Sequence, residues 1–411
     1  MKTRLILCYS AVLLLLINLL EAHEMPDGLK RPIIEDEIFA EAIEMIDAGD
    51  TEALAAYLKE HPELINKRID GDKDYETGYF ASPTLLHFTA YNPYWTHSIK
   101  PPANIVEVTE VILDAGAEVD VFCGESGNQG TTLGLVASGL LLRENELQIP
   151  MIKMLTRRGA DPSYALGAAI AHSEWDAVDA LVEAGAEPSP MLCAIQDDPK
   201  ALKKSLEGID SISLQKALFA AVSKGKPENV IILIDAGADP NAFMPESFHA
   251  HSTAMHQAAW NGNVEILEVM MDSGGRFDVK DSIYSGDPVG WAGHNHQDEA
   301  VTFFISRGYE ATPQQLAAWG QLEAMKQWLE ANPEKVDEVG EWGTCLQQAA
   351  FHGRVDVIEL LIENGADVNN ANGGDRVPGK GKTPLDKAIA GNRNEAIALL
   401  KKHGGEPYAM E

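Results

Sequence analysis

Three segments of this chain repeat one another without insertion or deletion. They are "TAMHQAAWNGNVEILEVMMDSGG" from Thr253, "TCLQQAAFHGRVDVIELLIENGAD" from Thr344 and "TPLDKAIAGNRNEAIALLKKHGGE" from Thr383. Thr253 to Gly274, Thr344 to Gly365 and Thr383 to Gly404 are equal distances. A repeat this short cannot bury an apolar face alone, so it must stack on its neighbours. Each segment reads as two short antiparallel helices and a turn. Ala258, Ala259, Ala349 and Ala350 are small because neighbouring first helices must approach closely. "VEILEVMM" and "VDVIELLI" place apolar residues at helical spacing, the buried face of a second helix. The glycine after each run suits a left-handed C-cap. "GADVN" then turns outward into an extended hairpin.

These residues resemble the ankyrin repeat, whose pattern runs T-P-L-H-x-A-A, G-H, V-V-x-L-L and G-A-D-x-N. The match is strongest in "GTCLQQAAFHGRVDVIELLIENGADVN" (343–369). "AGAEVD" (115–120), "RGADPS" (158–163), "AGAEPS" (184–189) and "AGADPN" (236–241) are successive repeat ends, and "TLLHFTA" (84–90) keeps the opening histidine. "DPVGWAGHNHQDEAVTFFISRG" (287–308) loses the Thr and that His; 39–62 and 314–333 are Gly-poor versions, and 191–210 is the weakest unit. About eleven units, some degenerate, fit between residue 35 and residue 411. The resemblance implies an all-α repeat solenoid: ankyrin-type helix-turn-helix units joined by β-hairpin loops in a curved array. Longer connections at 91–104, 123–130, 244–252 and 370–381 read as insertions, which in repeat arrays often sit on the working face.

Residues 1–24 read differently. Lys2 and Arg4 precede an apolar run from Leu5 to Leu20, the pattern of a secretory signal peptide. The run is short for a membrane span. Leu20 is large for the third position before a cut at Ala22, so an uncleaved anchor is the second option, and the one route to a membrane. Cleavage makes the protein exported, periplasmic or secreted; translation from Met25 would make it cytoplasmic. Cys123, Cys193 and Cys345 are too few and scattered for a disulfide framework. With 63 acidic against 32 basic residues the net charge is −31. Such a surface repels phosphate backbones, which argues against nucleic acid, and points to a protein partner with a basic patch.

Catalytic signals are weak. "GESGN" (124–128) misses G-x-S-x-G at its last position, and "SLQK" (213–216) matches S-x-x-K too loosely to carry weight. "GGDRVPGKGKTPL" (373–385) resembles a phosphate loop, yet both registers fail by one residue and no apolar strand precedes it. It reads as a locally basic insertion followed by the Thr-Pro-Leu that opens the last unit. No catalytic residue, cofactor or metal is assigned. His249 and His251 would point the same way in an extended hairpin, the best metal candidate; His294 and His296, two apart near a helix end, point away from each other.

The resemblance implies a non-enzymatic protein-binding scaffold, with a concave groove and hairpin tips as contact surfaces. The residues after the Ala pair face that groove: Trp260 and Asn261, Phe351 and His352, His294 and Asn295, Ser223 and Lys224. Ile283 and Tyr284 occupy a hairpin tip, and Tyr94, Trp95 and His97 lie in the first insertion. Trp260 and Phe351 have a competing role, covering the next repeat. The alternative function is a small-ligand or metal-binding accessory protein that uses the insertions.

Overall fold

A computed structural model describes residues 33–69, 75, 78–92, 100–124, 130–245, 251–373 and 382–408. The leader at 1–24, Tyr94, Trp95, His97, His249, "ESGN" (125–128) and 374–381 lie outside the described residues. Among the described residues, 23 α-helices make eleven helix–turn–helix pairs, with Leu140–Glu144 as the extra helix. Residues through Ala254 form one compact unit and residues from Met255 a second.

In the second unit the first helices Pro313–Trp319, Cys345–His352 and Pro384–Ala390 pack side by side. The second helices Leu322–Ala331, Val355–Glu363 and Asn394–Lys402 form a layer against them. Ala349, Ala350, Ile358 and Leu361 are fully buried in the continuous core between these layers. A side chain longer than alanine at 349 or 350 would hold neighbouring helices apart. Gly274, Gly365 and Gly404 all have positive φ, between 84° and 90°, as a left-handed helix end requires.

The opening residues survive the decay of the repeat because each first helix needs its N-terminal N–H groups satisfied. Thr344 accepts from the Gln347 N–H at 3.2 Å, and the Gln347 side chain accepts from the Thr344 N–H at 2.9 Å, a capping box. Thr312 with Gln315 and Thr383 with Asp386 do the same. Where "DPVGW" loses its threonine, Asp287 takes the place and accepts from the Gly290 N–H at 2.7 Å.

The histidines of the opening motif organise loops. His87 Nδ1 lies 2.8 Å from Thr84 Oγ1, and its Nε2 lies 3.0 Å from the Val121 carbonyl. Burial drives its pKa down to about 4, so it is neutral at pH 7. His256 Nε2 reaches the Gly286 carbonyl at 3.2 Å. Gln347 performs this task with an amide, donating Nε2 to the Asn370 and Lys382 carbonyls at 2.9 Å each.

Among the described residues, strand pairing marks a few of the connections. Phe122–Cys123 pairs antiparallel with Gly130–Thr131, and single bridges join Phe243 to Thr253 and Gly340 to Gly343. Most others are turns, because stretches as short as 186–189 leave no room for a ladder. Cys123, Cys193 and Cys345 are buried free thiols.

Candidate functional site

The candidate surface is built where the first helices of the second unit end. Trp260 is half-buried. Its ring meets Trp291 edge-on at 5.9 Å and tilts over His294 at 6.1 Å. Asn295 fixes the join by donating to the Trp260 carbonyl at 2.8 Å. Trp260 therefore packs on the next repeat. Asn261 is exposed, and its side chain accepts from Gln257 at 2.9 Å.

Trp319 stands at the same repeat position as His294 and is only 7% exposed. It lies on Gly293: a Cβ there would fall 2.1 Å from Trp319 Nε1. Phe351, one repeat on, is 40% exposed. The residue equivalent to Gly293 below it is Ala318, which leaves no such gap, and the next repeat offers only Ala390 and Gly391. Gly391 sits so near the Phe351 carbonyl that an added Cβ would come within 2.2 Å of it.

Beside Phe351 lies a cluster the sequence does not advertise. His352 meets Phe351 edge-on at 5.2 Å and His296 at 6.5 Å. The helix ends at His294, and His296 follows with φ +55°, turned out of the helical path. This corrects the helical-wheel expectation for His294 and His296: they do face different partners, but because the chain unwinds. Arg354 donates Nη2 to His296 Nδ1 at 2.7 Å, pairs with Asp298 at 3.3 Å and donates Nε to the Ala318 carbonyl at 3.1 Å. As an acceptor at Nδ1, His296 is neutral and carries its proton on Nε2. Burial, reinforced by Arg354, His296, Arg393 and His294, pushes the His352 pKa down to about 4. Burial also lowers His296, with Arg354 and Arg393 adding to it, and lowers His294.

Ile283 and Tyr284 are half-buried. Their N–H groups donate to one oxygen of buried Asp281 at 3.0 and 2.6 Å, and its other oxygen accepts from Trp291 Nε1 at 3.2 Å. The turn is thus tied to the aromatic row through Asp281. Three residues escaped the sequence reading: Trp342, Arg354 and Arg393. Trp342, 51% exposed, tips a tight turn closed by reciprocal bonds between Gly340 and Gly343. The signal was "GEWG", a tryptophan in a two-residue loop. The arginines were signalled by "GR" and "NR" just before second helices.

In the first unit Ser223 is half-buried, and Lys224 Nζ lies 4.2 Å over the Trp175 ring. Ser213 of "SLQK" bonds Asp210 as part of a helix cap at 2.7 Å. Thr383 of "GKTPL" is likewise taken by its cap and by the Glu406 carbonyl at 2.8 Å. A recess of about 620 Å³ lies between Ile212 and Phe243, and reaches the 244–252 insertion at Met244's neighbour Pro245. Among the described residues no three His, Cys, Asp or Glu side chains are placed to hold a metal ion. No helix among them is long and apolar enough to cross a membrane.

The family model described as "Ankyrin repeats (3 copies)" matches residues 190–281 and 314–410. The chain is 38% identical over 88 residues to serine/threonine-protein kinase VIK of Arabidopsis thaliana, covering 21% of this chain and 19% of the kinase. It is 36% identical over 95 residues to inactive serine/threonine-protein kinase TEX14 of Bos taurus, covering 23% of this chain and 6% of that protein. The chain thus spans a fifth or less of these curated relatives. The human ASB11 ankyrin repeat domain aligns with 52% of this chain and 98% of its own, at 20% identity and a TM-score of 0.39. With the capped helix pair repeated along both units and two long stretches matched by the family itself, the chain belongs to the ankyrin repeat family.

Proposed function

We propose that the second unit is a non-enzymatic scaffold that docks a protein partner on the ends of its first helices and on neighbouring turn tips. Ankyrin repeats generally bind other proteins, and one observation carries the finer reading. Phe351 is left 40% exposed where the equivalent Trp319 is covered. An exposed aromatic beside a fixed polar cluster is the composition of an interface hot spot. Trp342 adds a second aromatic contact. The net charge of −31 steers a partner that carries a basic patch, a long-range effect that salt screens. Affinity capture from the native extract at low and high salt tests this. Specific partners should be retained at low salt and lost with the Phe351→Ala, Trp342→Ala double variant; retention unchanged by that variant would sink the reading.

We also propose export through the segment at 1–24, on the basis of its charge and apolar pattern. Mass spectrometry of the mature N-terminus should find a start near His23. A start at Met25 with no exported pool would favour the cytoplasmic alternative.

A further inference from the structure

The repeat can be compared with itself at Arg354 and Arg393. Both precede a second helix as its N-cap residue. Both lie across a glycine of the preceding turn: Cβ atoms added to Gly320 and Gly353 would meet Arg354 Cδ and Arg393 Cδ at 3.0 and 2.8 Å. Each donates Nε to a carbonyl at the end of the preceding first helix, Ala318 for Arg354 and Phe351 for Arg393, at 3.1 and 3.2 Å. The placement of the two side chains is the same.

Their outer nitrogens differ. Those of Arg354 meet His296 and Asp298, two repeats upstream. Two repeats upstream of Arg393 the equivalent residues are Gly320 and Leu322, which offer neither imidazole nor carboxylate. Among the described residues, Phe351 O is the one hydrogen-bond partner of the Arg393 side chain, and no carboxylate pairs with it. Glu395 is near but forms no ion pair with it. Arg393 and Glu395 line a recess of about 250 Å³ with His352, Gly353, Asn392 and Asn394. That volume admits a side chain rather than a drug-sized ligand. Phe351, whose carbonyl holds Arg393 and whose ring meets the lining residue His352, is 40% exposed.

We infer that Arg393 is the anchor for a partner's aspartate or glutamate, whose carboxylate takes the role that Asp298 plays for Arg354, while an adjoining large apolar side chain of the partner lies on Phe351. This rests on the scaffold reading above and adds the chemistry of one contact. A planar guanidinium held at Nε presents its remaining N–H groups as a fork matched to a carboxylate. The local contact does not conflict with long-range steering of a basic partner, because the field of the whole surface and one short-range pair act at different distances.

The test uses the full chain and a phage library of random 12-residue peptides. Wild type should select Asp or Glu next to an aromatic or aliphatic residue. A consensus peptide should lose about tenfold or more in affinity with Arg393→Glu, and similarly when its acid is changed to Lys. Combining Arg393→Glu with the Lys peptide should restore binding, an outcome a folding defect cannot produce. A consensus without an acid, or a charge swap that fails to restore, overturns the assignment of Arg393 and leaves the scaffold standing. No enrichment above a bare surface overturns both.

Discussion

The ends of two first helices, Pro313–Trp319 and Cys345–His352, occupy the same place in successive repeats yet treat their aromatic residues oppositely. Trp319 is folded into a gap left by Gly293, whereas the equivalent residue in the repeat before Phe351 is Ala318, and Gly391 lies against the Phe351 carbonyl. A methyl group at Gly293 would occupy the space that Trp319 fills. Neither residue can be assigned a role from its own position in the motif. The neighbour decides, because in a stack each unit is completed by the next.

The largest effect should come from removing the covered aromatic. Trp319→Ala should destabilise the second unit by about 3–5 kcal/mol, read as lost amide-exchange protection across 313–331. Gly293→Ala attacks the same contact from below. With Trp319 Nε1 only 2.1 Å from the new methyl, the ring must leave, at about 1–3 kcal/mol and with a shift in tryptophan fluorescence. Unchanged fluorescence would mean that the gap is not what holds Trp319.

The exposed end should be the pH-sensitive one. His352 has a pKa of about 4 in the folded chain against 6.5 for the free group. Between those values the unfolded chain binds more protons, so stability falls as pH drops from about 6.5 toward about 4. Roughly 1–2 kcal/mol should be lost by pH 5 through His352, and His352→Asn should make urea midpoints of the second unit fall less steeply over that window, while His87, lowered to about 4 in the first unit, keeps its own share. An equally steep loss in the variant would assign the effect to other groups. The smallest effect on stability should be Phe351→Ala, within about 0.5 kcal/mol, while partner binding falls. A loss near that of Trp319→Ala would erase the distinction between the two ends.

Much of the fold was legible because its signals are local. The Thr, the residue three later and the glycine after the second helix mark caps, and caps depend on a few adjacent atoms. Even where the motif lost its threonine, Asp287 keeps the oxygen acceptor, and Gln347 keeps the bonds a histidine makes elsewhere. The motif marks where each connection turns without marking its length, so which connections carry a ladder was not legible. The site was less legible. Trp260 and His294 belong to one aromatic row as their motif positions suggest, but Arg354, His296 and Asp298 meet across 58 residues or fewer, and no spacing rule joins them.

The sequence by itself determined the repeat, its caps, its small helix contacts and its negative charge, since each follows from local backbone needs or from composition. Only the tertiary structure decided which aromatic is surface and which arginine, among the described residues, lacks a paired carboxylate. Those depend on the identity of residues one and two repeats away, and stacking is what brings them into contact.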